Sequence, residues 1–228
     1  DLRIISHIRQ IDYVSLTQAK KIYCISENVK NRLETFNNIP SEVLYPPTKL
    51  EGKYRNEGYS NYILSAGRLD PLKRLDLIIK ALKYINREIK LKIAGKGKYG
   101  ESLKELAMKE GVEDRVEFLG FVSDEELLNL YANAGAVYFA PLDEDYGFIT
   151  IEAFKSGKPV VTTIDSGGVL EFVKDGINGY VVSPEPKAIA SAFNDLFINR
   201  NKLSSLGTSG MKAVSKINWD YVIDKLIV

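Results

Sequence analysis

Short, nearly continuous apolar runs recur through the middle of the chain, separated by stretches whose apolar residues have helical spacing. Strands buried on both faces have this continuous apolar character, and their alternation with helices is typical of a parallel sheet. We therefore predict an α/β fold, a doubly wound, Rossmann-like parallel sheet of about six strands with further helices at the C-terminal end. The predicted strands are Tyr62–Ala66, Leu91–Ala94, Val116–Leu119, Ala136–Ala140, Pro159–Thr163 and Tyr180–Val182. The predicted helices between them are Leu75–Ile85, Glu101–Lys109, Glu125–Ala134 and Leu170–Val173.

The two ends of the chain differ from this middle. The pattern of residues 1–45 predicts a helix, a short strand at Lys21–Ile25, a helix at Glu27–Phe36 and a short strand at Val43–Tyr45. A Pro-Pro pair and a polar, glycine-containing stretch follow, so we place a linker loop at 46–60 and the main core at 61–184. Residues 185–228 predict helices without an intervening strand, at Pro186–Ile198, Leu203–Val214 and Trp219–Ile227. Because the chain does not open at a methionine, we interpret residues 1–45 as the tail of a truncated preceding domain plus its linker strand.

Composition narrows the class of protein. The formal net charge of the 228 residues is +1, which counts against a nucleic-acid partner. Cys24 is the only cysteine, so the chain can form no internal disulfide framework, and a reducing, cytoplasmic location is expected. No apolar run approaches the ~20 residues of a membrane span. Any membrane association of the full-length protein is expected to reside in the missing domain. His7 is the only histidine, which excludes a histidine-based catalytic triad.

A cluster of cations follows the first predicted strand of the sheet. Asp70 is a good N-cap and Pro71 a good first helical residue, so we predict that a helix begins at Pro71. Lys73 and Arg74 would then lie in its first turn, where cations are unfavourable unless an anion is bound nearby. Together with Arg68, at the carboxyl end of the strand, they could clamp a diphosphate. Solvated surface charge is the alternative interpretation.

Carboxylates flank a glycine just past the fourth predicted strand. Gly147 would open a helix whose free N–H groups suit phosphate. Glu152 lies in an apolar helical run, where a carboxylate is costly to bury unless donors such as the hydroxyls of a sugar surround it. A structural carboxylate satisfied by backbone or arginine is the alternative. Asp143, Glu144 and Asp145 resemble a metal-binding Asp-x-Asp pair, but no histidine or further carboxylate cluster lies nearby in the sequence, so we expect no metal.

Other motifs carry less information. Gly95, Gly97 and Gly100 match a dinucleotide-binding pattern, but they follow the second strand rather than the first. That pattern also expects an acidic residue ~20 positions later, where this chain has Arg115. A tight turn is therefore the preferred interpretation, and a dinucleotide-dependent oxidoreductase is disfavoured. Trp219 is predicted to be a packing anchor of the last helix.

Taken in order, these residues resemble the group 1 family of retaining glycosyltransferases, in the C-terminal, donor-binding lobe of the two-lobed GT-B architecture. The strongest match is the E-x7-E element from Glu144 to Glu152. The ordered series is completed by Gly67-Arg68 with Lys73, by Gly167-Gly168-Val-Leu-Glu171 and by Asp175-Gly-Ile-Asn-Gly179. The family commonly has glycine where this chain has Arg74. The Tyr-Pro-Pro stretch at 45–47 resembles the mannosyltransferases of polysaccharide and lipid-linked oligosaccharide synthesis.

The resemblance implies roles for particular residues. Arg68 and Lys73 would bind the donor's diphosphate and Glu144 would hydrogen-bond the sugar, which makes these three the expected catalytic residues. Glu152 would bind the ribose. The donor-binding set is completed by backbone N–H groups of Gly147, Phe148, Ile149 and Thr150 at the phosphates and by Phe121 and Val122 at the base. The resemblance further implies that donor binding needs neither a metal nor a cofactor.

The expected function is transfer of a sugar, with retention of configuration, from a nucleotide-diphospho-sugar to a glycan or lipid-linked acceptor held by the missing lobe. GDP-mannose is the favoured donor, and the isolated piece is expected to be inactive. One alternative is a sugar-nucleotide isomerase of the same two-lobed architecture, which usually needs additional acidic and histidine groups. Another is a non-catalytic nucleotide-binding module with a decayed site, against which the presence of Arg68, Lys73, Glu144 and Glu152 counts.

Overall fold

A computed structural model describes residues 2–227 and contains a six-stranded, wholly parallel sheet, which confirms the predicted α/β class. The strands are β1 (Tyr23–Cys24), β2 (Glu42–Val43), β3 (Tyr62–Ala66), β4 (Lys90–Ala94), β5 (Val116–Gly120), β6 (Ala136–Tyr138), β7 (Val160–Thr163) and β8 (Gly179–Val182). The helices are α1 (Leu2–Thr17), α2 (Glu27–Asn37), α3 (Leu75–Ala81), α4 (Gly100–Glu110), α5 (Asp124–Asn133), α6 (Phe148–Lys155), α7 (Pro186–Ile198), α8 (Arg200–Ala213) and α9 (Trp219–Leu226).

The order of strands in the main sheet is β5-β4-β3-β6-β7-β8, while β1 and β2 form a separate two-stranded sheet. The chain therefore builds outward from β3 to β5 on one side and then returns to the centre to build β6 to β8 on the other. Strand order reverses between β3 and β6, which pair in parallel with Ile63 opposite Ala136. Ligands of doubly wound sheets bind outside the carboxyl ends of the strands at such a reversal. This crevice is where the predicted site residues converge.

The core has a layer on each face of the sheet. Successive residues of a strand point to opposite faces, and the fully buried Ile63 and Leu64 of β3 accordingly belong to different layers. Ile63 packs with side chains of α3, α4 and α7, whereas Leu64 packs with those of α5 and α6. Full burial of such a side chain stabilises the fold by about 1.5–3 kcal/mol. The continuous apolar runs of the sequence therefore reflect helices covering both faces.

The segment after β3 differs from its prediction. The α-helix does not begin at Pro71, because only a 3₁₀ turn forms at Pro71–Lys73, capped by Asp70, which accepts from the Leu72 N–H at 2.9 Å. Arg74 then adopts a left-handed conformation with φ 50°, and α3 begins one residue later. A left-handed residue interrupts a right-handed helix and is costly for any residue with a Cβ. Glycine, which the resemblance implies at the position of Arg74, would adopt this conformation without that cost.

Two further predictions needed correction. The stretch Leu170–Val173 is not an α-helix, since a 3₁₀ turn at Gly168–Glu171 takes its place. Trp219 is 48% exposed, so it is not a packing anchor, and Val222 is the buried residue of α9. The outer limits of the first and last predicted segments, Asp1 and Val228, lie outside the described residues. Within residues 2–227, no helix has the length and apolar character that crossing a bilayer requires.

Residues 44–61 contain no helix or strand but are closely tied to the core. Leu50 is buried, and Glu51 forms an ion pair with Lys155 of α6 at 2.7 Å. Further along, Asn56 accepts a hydrogen bond at 2.8 Å from Lys158, which is fully buried. This segment consequently follows the surface of the core in a defined path. The division of the chain at 46–60 remains a prediction.

Candidate functional site

A cavity of about 510 Å³ opens at the carboxyl ends of the central strands. Its lining comes from the ends of β3 and β4, the loops after β3, β4 and β5, helix α5 and the first turns of α6. The residues are Ala66, Gly67, Arg68, Ala94, Gly95, Lys96, Phe121, Val122, Leu127, Phe148, Ile149 and Glu152. Six residues predicted for the site thus line one cavity: Arg68, Phe121, Val122, Phe148, Ile149 and Glu152. Lys96 and Leu127 were not among the predicted residues.

Two loops of the cavity wall cross at backbone contact distance. The Gly67 N–H donates to the Ala94 carbonyl at 2.9 Å, and a Cβ on Gly95 would lie 1.8 Å from the Gly67 oxygen. Gly95 also has φ 143°, a conformation that residues with a Cβ rarely adopt. A Cβ on Gly97 would similarly meet the Leu69 oxygen at 2.1 Å. Close approach of backbones therefore accounts for these two glycines.

Arg68 offers an unpaired cation to this cavity. It follows β3 directly and is exposed. Within residues 2–227 its guanidinium makes no hydrogen bond or ion pair. A planar guanidinium with five donors matches two oxygens of a phosphate at once. The geometry is compatible with the predicted role of Arg68 as a phosphate ligand.

Lys73 and Glu144 lie next to each other, and each is the ion-pair partner of the other. Their side chains form a half-buried ion pair, and the ammonium of Lys73 also lies 5.6 Å from the centre of the Phe139 ring. Neither residue lines the cavity. The two predicted catalytic groups thus neutralise one another, and each keeps further donor or acceptor positions with which it could contact a ligand.

Arg74 donates hydrogen bonds to neighbouring parts of the protein instead of contributing to a diphosphate clamp. Its side chain donates to the carbonyls of Ala140 and Pro141 at 2.8 and 2.9 Å and to the hydroxyl of Thr163 at 2.6 Å. It also donates twice to Asp165, at 2.8 and 2.7 Å, and lowers the pKa of that carboxyl by hydrogen bonding. All three nitrogens of its guanidinium donate hydrogen bonds. The suggestion that Arg74 helps to clamp a diphosphate is therefore not supported.

Helix α2 contacts the acidic loop that precedes α6. The sequence pattern predicted the helix but not this contact. Arg32 pairs with Asp143 at 2.6 Å and also with Asp145. Asn28 donates to the backbone carbonyl of Glu144 at 3.1 Å, as does the Gly168 N–H at 2.7 Å. In the described part of the chain, no group of three or more His, Cys, Asp or Glu residues is arranged to hold a metal ion.

Gly147 caps the start of α6, in line with the prediction that it opens a helix, and has φ 87° at the position before the first helical residue, Phe148. The first N–H groups of a helix lack partners within it and carry partial positive charge, which favours an anion. The Thr150 N–H already donates to the Gly147 carbonyl at 2.9 Å. Phe148 and Ile149 therefore supply the helical N–H groups that remain available to a phosphate in this conformation.

Glu152 lies one turn further along α6, on the cavity wall. The hydroxyl of Tyr131, a fully buried residue of α5, donates to its Oε2 at 2.8 Å. Burial raises the pKa of Glu152, and the hydroxyls of Tyr131 and Tyr54 oppose the rise. Each carboxylate oxygen has more than one lone pair, so Glu152 keeps acceptor positions for ligand hydroxyls beside these tyrosines. Tyr131 was not predicted from the sequence, because a tyrosine inside an amphipathic helix has no distinctive spacing.

Comparison with known proteins agrees with this geometry. Residues 48–213 match the family model described as "Glycosyl transferases group 1". An uncharacterised glycosyltransferase of Methanocaldococcus jannaschii is 28% identical over 205 residues, which cover 90% of this chain and 57% of the relative. A GDP-mannose-dependent alpha-(1-6)-phosphatidylinositol monomannoside mannosyltransferase of Mycobacterium tuberculosis is 32% identical over 190 residues, covering 78% and 49%.

Among solved structures, HepE of Anabaena in complex with UDP-glucose superposes with a TM-score of 0.82 at 21% identity, covering 92% of this chain and 63% of HepE. This likeness concerns the fold, which is that of GT-B glycosyltransferases. The chain spans only about three-fifths of the M. jannaschii relative, 57% of its length. The family match, in contrast, covers most of the present chain and contains every predicted site residue. The chain belongs to the group 1 glycosyl transferases.

Proposed function

We propose that this chain is the donor-binding domain of a glycosyltransferase that moves a sugar from a nucleotide-diphospho-sugar to an acceptor. The observation that carries the proposal is the convergence, in one cavity at the strand-order reversal, of an arginine without a partner among residues 2–227, an open helix N-terminus and a partly buried carboxylate. These are Arg68, the N–H groups of Phe148 and Ile149, and Glu152. The arginine and the N–H groups suit a diphosphate, and the carboxylate suits the hydroxyls of a ribose.

The chemistry that we propose is electrostatic stabilisation of a departing nucleoside diphosphate. Arg68 and the start of α6 oppose the negative charge that develops on the leaving group. Lys73 joins them once Glu144 exchanges the ammonium for hydroxyls of the donor sugar, because both groups then keep a partner of suitable charge or polarity. The acceptor binds to a further lobe outside this chain. Retention of configuration, and inactivity of the isolated domain, belong to the proposal.

Two observations favour a particular sugar donor. The Tyr-Pro-Pro stretch at 45–47 and the GDP-mannose-dependent relative from M. tuberculosis favour GDP-mannose. The HepE structure, which holds UDP-glucose, makes a uridine donor the competing possibility. For the acceptor we propose a glycan or a lipid-linked sugar. We propose that neither a metal nor a cofactor takes part, since the carboxylates of Asp143 and Asp145 are already paired with Arg32.

Calorimetric titration of the chain with GDP, UDP, ADP and NAD, without and then with magnesium, tests the proposal. We expect one nucleoside diphosphate to bind selectively, with the same affinity in both conditions. Binding of NAD alone would favour an oxidoreductase and contradict the proposal. Binding that requires magnesium would contradict the metal-independent site.

Substitution of Arg68 tests the phosphate contact within the same titration. We expect Arg68→Ala to weaken binding of the nucleoside diphosphate by about 1.5–3 kcal/mol, as for a lost hydrogen bond to a charged group. Arg87→Ala is the matched control, because Arg87 is a highly exposed arginine whose ion pair with Asp114 is a long contact of 3.9 Å. An affinity for Arg68→Ala equal to that of the control would exclude Arg68 from the diphosphate site.

A further inference from the structure

Arg32 lies on a face of α2 that is directed at the loop carrying Glu144. Asn28 and Arg32 are four residues apart and therefore adjacent on one side of the helix. Asn28 donates to the Glu144 carbonyl at 3.1 Å, while Arg32 pairs with Asp143 at 2.6 Å and also with Asp145. One helical face thus contacts the backbone of the predicted sugar-binding residue and both carboxylates that flank it.

The position of α2 is itself determined from the core. The carboxylate of Glu171 accepts the backbone N–H of Glu27 at 3.0 Å and that of Asn28 at 2.9 Å. The same carboxylate accepts the hydroxyl of Tyr45 at 2.9 Å. Because the first N–H groups of a helix point along its axis, these contacts fix its N-terminal end. Arg32, little more than one turn further along, is held in register with the acidic loop.

The two aspartates create an electrostatic problem for an anionic ligand. Asp145 precedes Gly147, the cap of α6, by two residues, so their Cα atoms are at most about 7 Å apart. That is within the ~8 Å over which charges interact at physiological ionic strength. Uncompensated, the carboxylates would oppose the positive potential of the helix N-terminus and repel the phosphates of a donor. The guanidinium of Arg32 bridges both carboxylates and offsets their charge.

We infer that Arg32 is a positioning residue of the donor site: by neutralising and holding Asp143 and Asp145, it allows a nucleoside diphosphate to bind beside them. The inference rests on the proposed function and extends it to a helix outside the cavity. Arg32 makes no contact with the cavity itself. The ion pairs are partly exposed, so the effect is of the modest size typical of solvent-screened charges.

The test is calorimetric titration of GDP and UDP into the wild-type chain and its variants. Arg32→Ala should weaken binding roughly three- to tenfold, with a larger loss at low salt, because the uncovered carboxylates are then less screened. Adding Asp143→Asn and Asp145→Asn to Arg32→Ala should restore affinity to within about twofold of wild type, since the repulsion is gone. Lys30→Ala, on the same helix but paired with Glu27 at 3.5 Å, is the control and should bind normally.

Each possible result supports or contradicts either the inference about Arg32 or the proposed function. If Arg32→Ala binds as tightly as the control, or if the triple variant binds no better than Arg32→Ala, the inference is wrong. In the second case the role of Arg32 would be packing alone, which removing further partners cannot repair. If Arg32→Ala fails to fold, Arg32→Lys should give a smaller loss that the two asparagines also reverse. Failure of the wild-type chain to bind either nucleotide would instead reject the proposed function, and the inference with it.

Discussion

Three cations close together in the sequence have different environments in the folded chain. Arg68 has no partner within residues 2–227, Lys73 pairs with Glu144, and all three guanidinium nitrogens of Arg74 donate to neighbouring groups. Their spacing alone does not distinguish them, because a partner distant in sequence decides which cation is available. At the scale of single residues, the availability of a charge is therefore a tertiary property.

At the same scale, a buried lysine should make the free energy of unfolding depend on pH. Lys158 is fully buried, donates to Asn56 and Gly58, and has its pKa lowered to about 8 by burial. Between about pH 8 and 10.5 the unfolded chain binds more protons at this residue than the native chain does. Its contribution to the free energy of unfolding should therefore rise with pH across that window, by up to about 3 kcal/mol.

Urea unfolding at pH 7.5 and pH 10 of the wild-type chain and Lys158→Met measures this dependence. The difference in stability, wild type minus variant, should increase at the higher pH. Lys109→Met, which removes an exposed lysine of α4, should give no such increase. A pH-independent difference for Lys158→Met would mean that the native pKa of Lys158 is not lowered.

At the scale of elements, α2 illustrates how a helix can be placed by a side chain outside it. Ser26 caps the helix locally by accepting the Val29 N–H at 3.0 Å. The 3₁₀ turn at Gly168–Glu171 then supplies the carboxylate that accepts two more N–H groups. The local cap follows from the sequence, whereas the second contact joins residues more than one hundred positions apart.

Removal of that carboxylate should destabilise the chain. We expect Glu171→Ala to reduce the free energy of unfolding in urea by about 2 kcal/mol, because two helical N–H groups and the Tyr45 hydroxyl lose a charged acceptor. Glu171→Gln should cost about half as much, since its amide oxygen still accepts. Glu185→Ala is the matched control, because Glu185 precedes α7 without a side-chain capping bond. Equal stabilities of Glu171→Ala and the control would contradict this account.

At the scale of the whole molecule, the site exists because the strand order reverses between β3 and β6. The reversal brings the loop after β3 close to α6, so that a side-chain atom of Ile149 lies 3.1 Å from the position of a Cβ on Gly67. The loops after β3 and β4 also cross, at Gly67 and Gly95. The crevice thus depends on backbone contacts between several separate parts of the chain.

A substitution at this crossing should affect folding and binding together. Gly95→Ala would place a Cβ 1.8 Å from the Gly67 oxygen in a backbone conformation that favours glycine. We expect a loss of about 3 kcal/mol or more in the free energy of unfolding, and weaker nucleotide binding because the Gly67–Arg68 loop must shift. Gly111→Ala has positive φ but nothing within 4 Å, so backbone strain alone should cost about 1 kcal/mol and leave binding intact. Equal losses in the two variants would argue against the close approach.

The sequence by itself determined the elements and the class of fold. The strand predicted at Tyr62–Ala66 and the helix predicted at Pro186–Ile198 have the bounds observed for β3 and α7, because burial on known faces leaves a periodic pattern. The ordered glycines, cations and glutamates also indicate the family, and Gly147 caps the start of α6 in line with the prediction. Each of these features depends on neighbouring residues or on the order of motifs along the chain. The sequence alone can therefore predict them.

Only the tertiary structure decided which of these groups contact one another. It assigned Arg74 to a structural network, paired Lys73 with Glu144, satisfied Glu152 with Tyr131, and brought Arg32 to the acidic loop. None of these contacts has a characteristic spacing, since each joins elements whose separation along the chain is arbitrary. Patterns of burial are repeated in every turn of a helix or strand, whereas the partner of a polar group is selected once, by the packing of the whole chain.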